Sequence, residues 1–174
     1  MEALRSRRRL RRSICIYEQP DQEHLILIDT FGGGSEAQDV LAVAAHRILC
    51  PMMLSRGDLS ATLETATWYL KLRERVEEPA ALAGFTVSLS RVPLRISESE
   101  RAVAEELFRS LPACEAFLSN RSAYLSMDRE GLLGVIAAKP PNRALAAHLQ
   151  NAVTEAGELL DEIDRLILAP AETA

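Results

Sequence analysis

Three consecutive glycines, Gly32, Gly33 and Gly34, stand between four apolar residues at 25–28 and a segment of helical periodicity that opens at Ser35-Glu36. The apolar run ends in Asp29-Thr30, so it reads as a buried strand that feeds a tight turn and then a helix capped by Ser35. Glycine lets backbone N–H groups turn inward with no Cβ in the way. A helix N-terminus adds about half a positive charge, so the place suits an anion. A carboxylate at the end of such a strand, here Asp29, is where a Mg2+-bound nucleotide phosphate is commonly met. Spacing alone equally allows a plain strand-to-helix turn with Asp29 as a local cap.

The alternation of short apolar runs and helical periods continues along the chain. Residues 14–17 are a short strand candidate before a polar turn at 18–22. Val40, Leu41, Ala44 and Ala45 give the helix after Ser35 its apolar face. Residues 47–54 read as a buried strand, with Pro51 marking a bulge or the strand's exit from the sheet. Asp58 is expected to cap a helix that buries Leu59, Leu63, Ala66, Tyr69, Leu70 and Leu72 and ends before Pro79, with Trp68 as packing. Residues 85–92 alternate with period two and then meet Pro93. Ser97 to Glu100 form a capping box for a helix that buries Val103, Ala104, Leu107 and Phe108. A shorter strand is expected at 113–118, followed by a helix capped by Asn120 and stopped at Gly131. Residues 143–168 predict a long helix with Leu145, Leu149, Ala152, Val153, Ala156, Leu160, Ile163 and Ile167 on one face. Strands separated by helices of this length mean an α/β fold, with a mainly parallel sheet covered on both faces. Ligands in such folds sit outside the carboxyl ends of the strands, where residues 29–35 fall.

Charge divides the chain. Of 20 basic side chains six lie in residues 1–12 beside one of the 25 acidic ones, so residues 13–174 hold 14 against 24, a balance of −10. The expected organisation is a basic arm at 1–13 and one domain at 14–174. Arg5, Arg7, Arg8, Arg9, Arg11 and Arg12 are the candidate DNA contacts, against the plainer reading of a solvated end, since the acidic body repels DNA. Cys15, Cys50 and Cys114 lie far apart, as reduced core thiols of a cytoplasmic protein do. No apolar run approaches the roughly 18 residues of a membrane span.

The segment D-T-F-G-G-G-S-E-A, beginning at Asp29, resembles the D-T-x-G-G-x-S-E segment of the ParA/MinD deviant-Walker ATPases. Two further stretches are similar to ParA proteins: D-L-S-A-T-L-E-T from Asp58, and N-R-S-A-Y-L-S-M-D-R-E-G from Asn120. The segment R-V-P-L-R-I-S-E-S-E-R from Arg91 is nearest to the ParA-like protein of the crown-gall virulence C operon, which acts in T-DNA transfer. The resemblance spans roughly residues 22 to 168, and Asp29 to Glu36 are its most specific part. It implies a P-loop NTPase-like sheet and a role in plasmid partition or in conjugative or T-DNA transfer. Asp29 would hold Mg2+ through water, while Thr30, Gly32, Gly33, Gly34 and Arg121 would lie on nucleotide. Arg91 is a second basic residue of interest. For Arg121 an ion pair with Asp128 or Glu130 is the equal alternative.

One departure outweighs the matches. The family's K-G-G-x-G-K-[ST] loop is not found before Asp29, and the only lysines, Lys71 and Lys139, follow no glycine run. Losing that phosphate clamp costs several orders of magnitude in rate, so hydrolysis by this chain alone is not expected. The resemblance therefore implies the second half of such an ATPase, truncated at Met1, with ATP and Mg2+ bound only if the other half is supplied. Partners implied are a second copy or a complementing half, DNA, and relaxosome or partition proteins. The alternative is a non-catalytic module that keeps this half of the fold for dimer or partner contacts. In the proteins it resembles, the phosphate-loop strand lies between the strand ending at Asp29 and that of residues 47–54. An incomplete sheet that self-associates is therefore expected. Acidic groups such as Asp128 with Glu130, and Asp161 with Glu162 and Asp164, read as solvated helix faces.

Overall fold

Parallel neighbours need a crossover of a dozen or more residues, and here each pair of successive strands is joined through a helix long enough for that return. The computed structural model describes residues 26–30, 35–140 and 143–168. In it β1 (Arg47–Met52), β2 (Gly84–Val92) and β3 (Ala113–Ser119) form a sheet of order β1-β2-β3, parallel throughout. The helices are α1 (Glu36–Ala44), α2 (Arg56–Arg75), α3 (Glu98–Ser110), α4 (Ser122–Glu130), α5 (Leu133–Ala138) and the long α6 (Arg143–Leu168). β1 and β2 run in unbroken register, with Arg47 opposite Gly84 and Met52 opposite Leu89, whereas β2 and β3 are offset twice.

Capping chemistry sets the helix starts. Ser35 caps α1 as expected, in a reciprocal pair with Gln38, and Ser97 and Glu100 form the capping box at α3 expected from their spacing. At α2 the cap is Ser55, three residues ahead of the expected Asp58. Ser55 Oγ accepts from the Asp58 N–H at 3.0 Å, and the Asp58 carboxylate accepts from the Met53 N–H at 3.2 Å. Asp58 thus takes the third helical position and its carboxylate reaches back past the cap to Met53, so the serine begins the helix. Asn120 does not cap α4 with its side chain; its backbone N–H donates to Val92 O at 2.8 Å and ties the ends of β2 and β3 together. Gly131 ends α4 at φ 95°, a conformation that only glycine adopts freely. The short α5 is not foreshadowed by any cap, since Leu132 precedes it.

α2 and α3 share one core with the sheet, built on Leu59, Leu72, Phe85, Val87, Leu89, Val103 and Leu107. Tyr69 stacks on Phe85 at 5.5 Å and donates its hydroxyl to Ala83 O. A second cluster joins α4, α5 and α6 through Ala123, Leu133, Ile136, Leu149 and Ala152. Leu70, Phe108 and Leu160, expected inside, are exposed, because the buried stripe runs through their neighbours Tyr69, Leu107 and Leu159. Between β1 and β2 the Arg47 guanidinium lies against Gly84 and donates to Leu166 O of α6, so a Cβ at position 84 would collide with it.

The largest correction concerns the apolar run before the glycines. Residues 26–30 are not a strand: they have no regular structure, and Leu27 is 90% exposed. A strand exists through its neighbour's hydrogen bonds, and none of the described strands pairs with this segment. β1 is consequently an edge strand, with Pro51 exposed in it, which is where a proline is tolerated. The candidate strand at 14–17 lies outside the described residues.

Candidate functional site

The chain leaves all three strands at one edge of the sheet, and the residues there decide what it can do. β1 leads through Met53 and Leu54 to the Ser55 cap of α2. β2 ends in a bulge at which Arg91, exposed, takes φ 52°, the left-handed region that non-glycine residues rarely enter. β3 ends at Ser119, and the chain turns through Asn120 and Arg121 into α4.

Arg121 is held by Glu155 of α6, not by Asp128 or Glu130. Glu155 Oε1 accepts from Arg121 Nε at 2.9 Å, from its Nη2 at 2.5 Å and from Ser119 Oγ at 2.8 Å. Its Oε2 accepts from the Ser119 N–H and the Tyr124 hydroxyl, each at 3.2 Å. Burial alone would raise the Glu155 carboxyl, but the bonds from Arg121 and Ser119 outweigh it and hold the group at about 2. Burial, then the neighbouring Glu155 charge, push the Tyr124 phenol up to about 12. A carboxylate so stabilised neither takes nor gives protons near neutrality, so the cluster is a clamp between β3, α4 and α6 and not acid–base machinery.

Seven residues further along α6, Glu162 accepts from the N–H groups of Glu115 at 2.9 Å and Ala116 at 2.8 Å. Two helical turns thus align two carboxylates with the outer edge of β3. The expectation of a solvated face fails for Glu162, while Asp128, Glu130, Asp161 and Asp164 are exposed as expected. Neither Glu155 nor Glu162 is apparent from local sequence. The available signal for Glu155 is an acidic residue between Ala152, Val153 and Ala156 on an otherwise apolar stripe.

Asp29 and Thr30 are described as exposed, and neither forms a hydrogen bond to another described residue. Gly32, Gly33 and Gly34, and the arginines at positions 5, 7, 8, 9, 11 and 12, lie outside the described residues. Among the described residues no group of three or more His, Cys, Asp or Glu side chains is placed to hold a metal ion. Nor is any described helix long and apolar enough to cross a membrane. Cys50 and Cys114 are free thiols, and burial, followed by the Glu162 charge, raises Cys114 to about 11.

The family described as VirC1 protein matches residues 15–169, which takes in every strand and helix above. Protein virC1 of Rhizobium rhizogenes is 30% identical over 136 residues, covering 74% of this chain and 56% of that protein. Protein virC1 of Rhizobium radiobacter is 28% identical over 150 residues, covering 82% of this chain and 62% of its own length. The chain thus spans less than two thirds of the length of these relatives. A match along nearly the whole α/β unit carries the conclusion: the chain belongs to the VirC1 family of ParA-like proteins.

Proposed function

We propose that this chain is a ParA-like component of T-DNA or conjugative DNA transfer, with plasmid partition as the related task, and that it does not hydrolyse ATP by itself. The observation that carries this reading is the VirC1 match over residues 15–169. Nucleotide would meet Asp29, Thr30, Gly32, Gly33, Gly34 and Arg121, with Mg2+ reached by Asp29 through water. The described residues alone do not suit that ion, since Asp29 stands as a single exposed carboxylate. ATP and Mg2+ therefore require a lysine-bearing phosphate loop that residues 1–174 do not hold, and the missing half of such an ATPase would supply it. DNA contact falls to Arg5, Arg7, Arg8, Arg9, Arg11 and Arg12 of a basic arm, with relaxosome or partition proteins as partners, in the cytoplasm.

A second reading, a non-catalytic interaction module, draws support from Arg121, whose guanidinium is already committed to Glu155. Deleting the gene in its host separates the proposal from unrelated roles. Transfer frequency or plasmid retention should fall and be restored by the wild-type gene; unchanged transfer and retention would refute the proposal. Restoration by Asp29→Ala as well would select the non-catalytic reading.

A further inference from the structure

We infer that the exposed segment from Arg91 to Glu98, between β2 and α3, is a docking surface for a second copy of this chain, formed about a two-fold axis and without nucleotide. The segment is anchored at both ends. Val92 is buried, and its carbonyl accepts from the Asn120 N–H at 2.8 Å. At the other end Ser97 and Glu100 close the capping box of α3. Between these anchors the chain turns apolar side chains outward: Leu94 and Ile96 expose 81% and 42% of their surface. Arg91 keeps φ 52° beside a bulge, a conformation that a residue other than glycine holds only where its surroundings enforce it. Backbone positions of this kind gather at binding surfaces, and a loop that merely connects two elements has no need of one.

Charge selects the occupant. Arg91, Arg95, Glu98 and Arg101 are exposed and form no ion pair with any described residue. Glu98 and Glu100 stand beside the arginines and weigh against a polyanion such as DNA. Two exposed aliphatic side chains among charges suit a protein surface, whose pattern is an apolar centre with a polar rim. The order along the segment is basic, apolar, acidic: Arg95, Ile96, then Glu98. A two-fold contact repeats each pairing, because residue i of one copy meets residue j of the other and j meets i. An axis near Ile96 and Ser97 brings Arg95 of each copy to Glu98 of the other, with the Leu94 and Ile96 side chains of both copies between the two ion pairs. The segment is thus complementary to itself. So small a patch falls below the roughly 800 Å2 per partner of a standard interface, so the association is weak and reversible. The inference is independent of the nucleotide site, and its failure leaves the DNA-transfer reading standing.

Sedimentation velocity of the full 174-residue chain, without nucleotide and at about 50 mM salt, tests it. The sedimentation coefficient of the wild-type chain should rise between roughly 10 μM and 1 mM protein, the span of a contact below standard size. Arg95→Glu and Glu98→Arg should each weaken the association at least about tenfold, since each sets like charges against one another twice. The chain that carries both substitutions regains both ion pairs and should associate within about threefold of wild type. Leu94→Ser should weaken association without altering its dependence on salt. A wild-type chain that stays monomeric at about 1 mM overturns the inference. Association that both single substitutions leave unchanged also overturns it and places the contact elsewhere, as on the open edge of β1. So does a weakening by the single substitutions that the double one fails to reverse. Loss of DNA retention in the Arg95→Glu chain with association intact would give the loop to nucleic acid and equally overturn it.

Discussion

Glu155→Gln keeps the shape of the clamp between β3, α4 and α6 and removes its charge. The wild-type carboxyl sits at about 2 against an ordinary 4.5. That gap corresponds to roughly 3 kcal/mol of stability at neutral pH, an upper figure because the Glu155 and Arg121 side chains keep 17% and 22% of their surface exposed. The sign follows from the direction of the shift. A carboxyl depressed in the folded state contributes fully above pH 4.5, and the contribution is lost as pH falls from there toward 2. The glutamine also leaves the Arg121 cation without its partner, which is strongly destabilising in a mostly buried setting. Urea unfolding at pH 7 should therefore show a loss of about 2–3 kcal/mol, with a melting midpoint lower by roughly 6–10 °C. Between pH 4.5 and 2 the wild-type chain should lose stability faster than the variant, so that the two curves converge. A loss below about 1 kcal/mol, or parallel acid limbs, would refute the clamp.

Two other substitutions and one deletion probe separate parts of the molecule. Glu162→Ala strips the acceptor from the Glu115 and Ala116 amides, so their exchange should accelerate and the chain should self-associate at high concentration; unchanged exchange would show that α6 shields the edge without the carboxylate. Asp39→Ala removes the partner of both Trp68 and Arg75. It should cost about 1–2 kcal/mol in chemical unfolding and red-shift tryptophan emission, while unaltered emission would argue that α1 is not held against α2 by this contact. Deleting residues 2–12 should abolish retention on DNA, and the intact chain's retention should fall steeply with salt. Equal retention by both forms would place DNA contact elsewhere.

Much of the fold was legible because local signals agree with it. β2 and β3 lie within one residue of the expected 85–92 and 113–118, and α6 has the expected bounds. The Ser35 cap located α1 and the Ser97–Glu100 capping box located α3 for the same reason, since each cap bonds within three residues of itself. Features set by distant neighbours were not legible. Whether an apolar run such as 25–28 becomes a strand depends on which backbone lies beside it, and periodicity carries no information about that. Arg121 was singled out for its position in the N-R-S-A-Y element, yet its partner lies 34 residues away on another helix. Glu162 likewise looks like any charge on an exposed helix until the edge of β3 is placed against it. The short α5 lacks a cap, and without one its six residues were indistinguishable from a turn.

We propose that this chain supplies the Asp29 side of a ParA-like nucleotide site, whose lysine-bearing loop is not found among its 174 residues. Isothermal titration with Mg-ATP tests it most directly, performed on the chain alone and on the chain mixed with a polypeptide carrying a K-G-G-x-G-K-[ST] strand and loop. No measurable binding to either component alone is expected. The mixture should bind, and Asp29→Ala should abolish its dependence on magnesium. Micromolar affinity of the isolated chain, or a stable mixed complex that still fails to bind Mg-ATP, would contradict it.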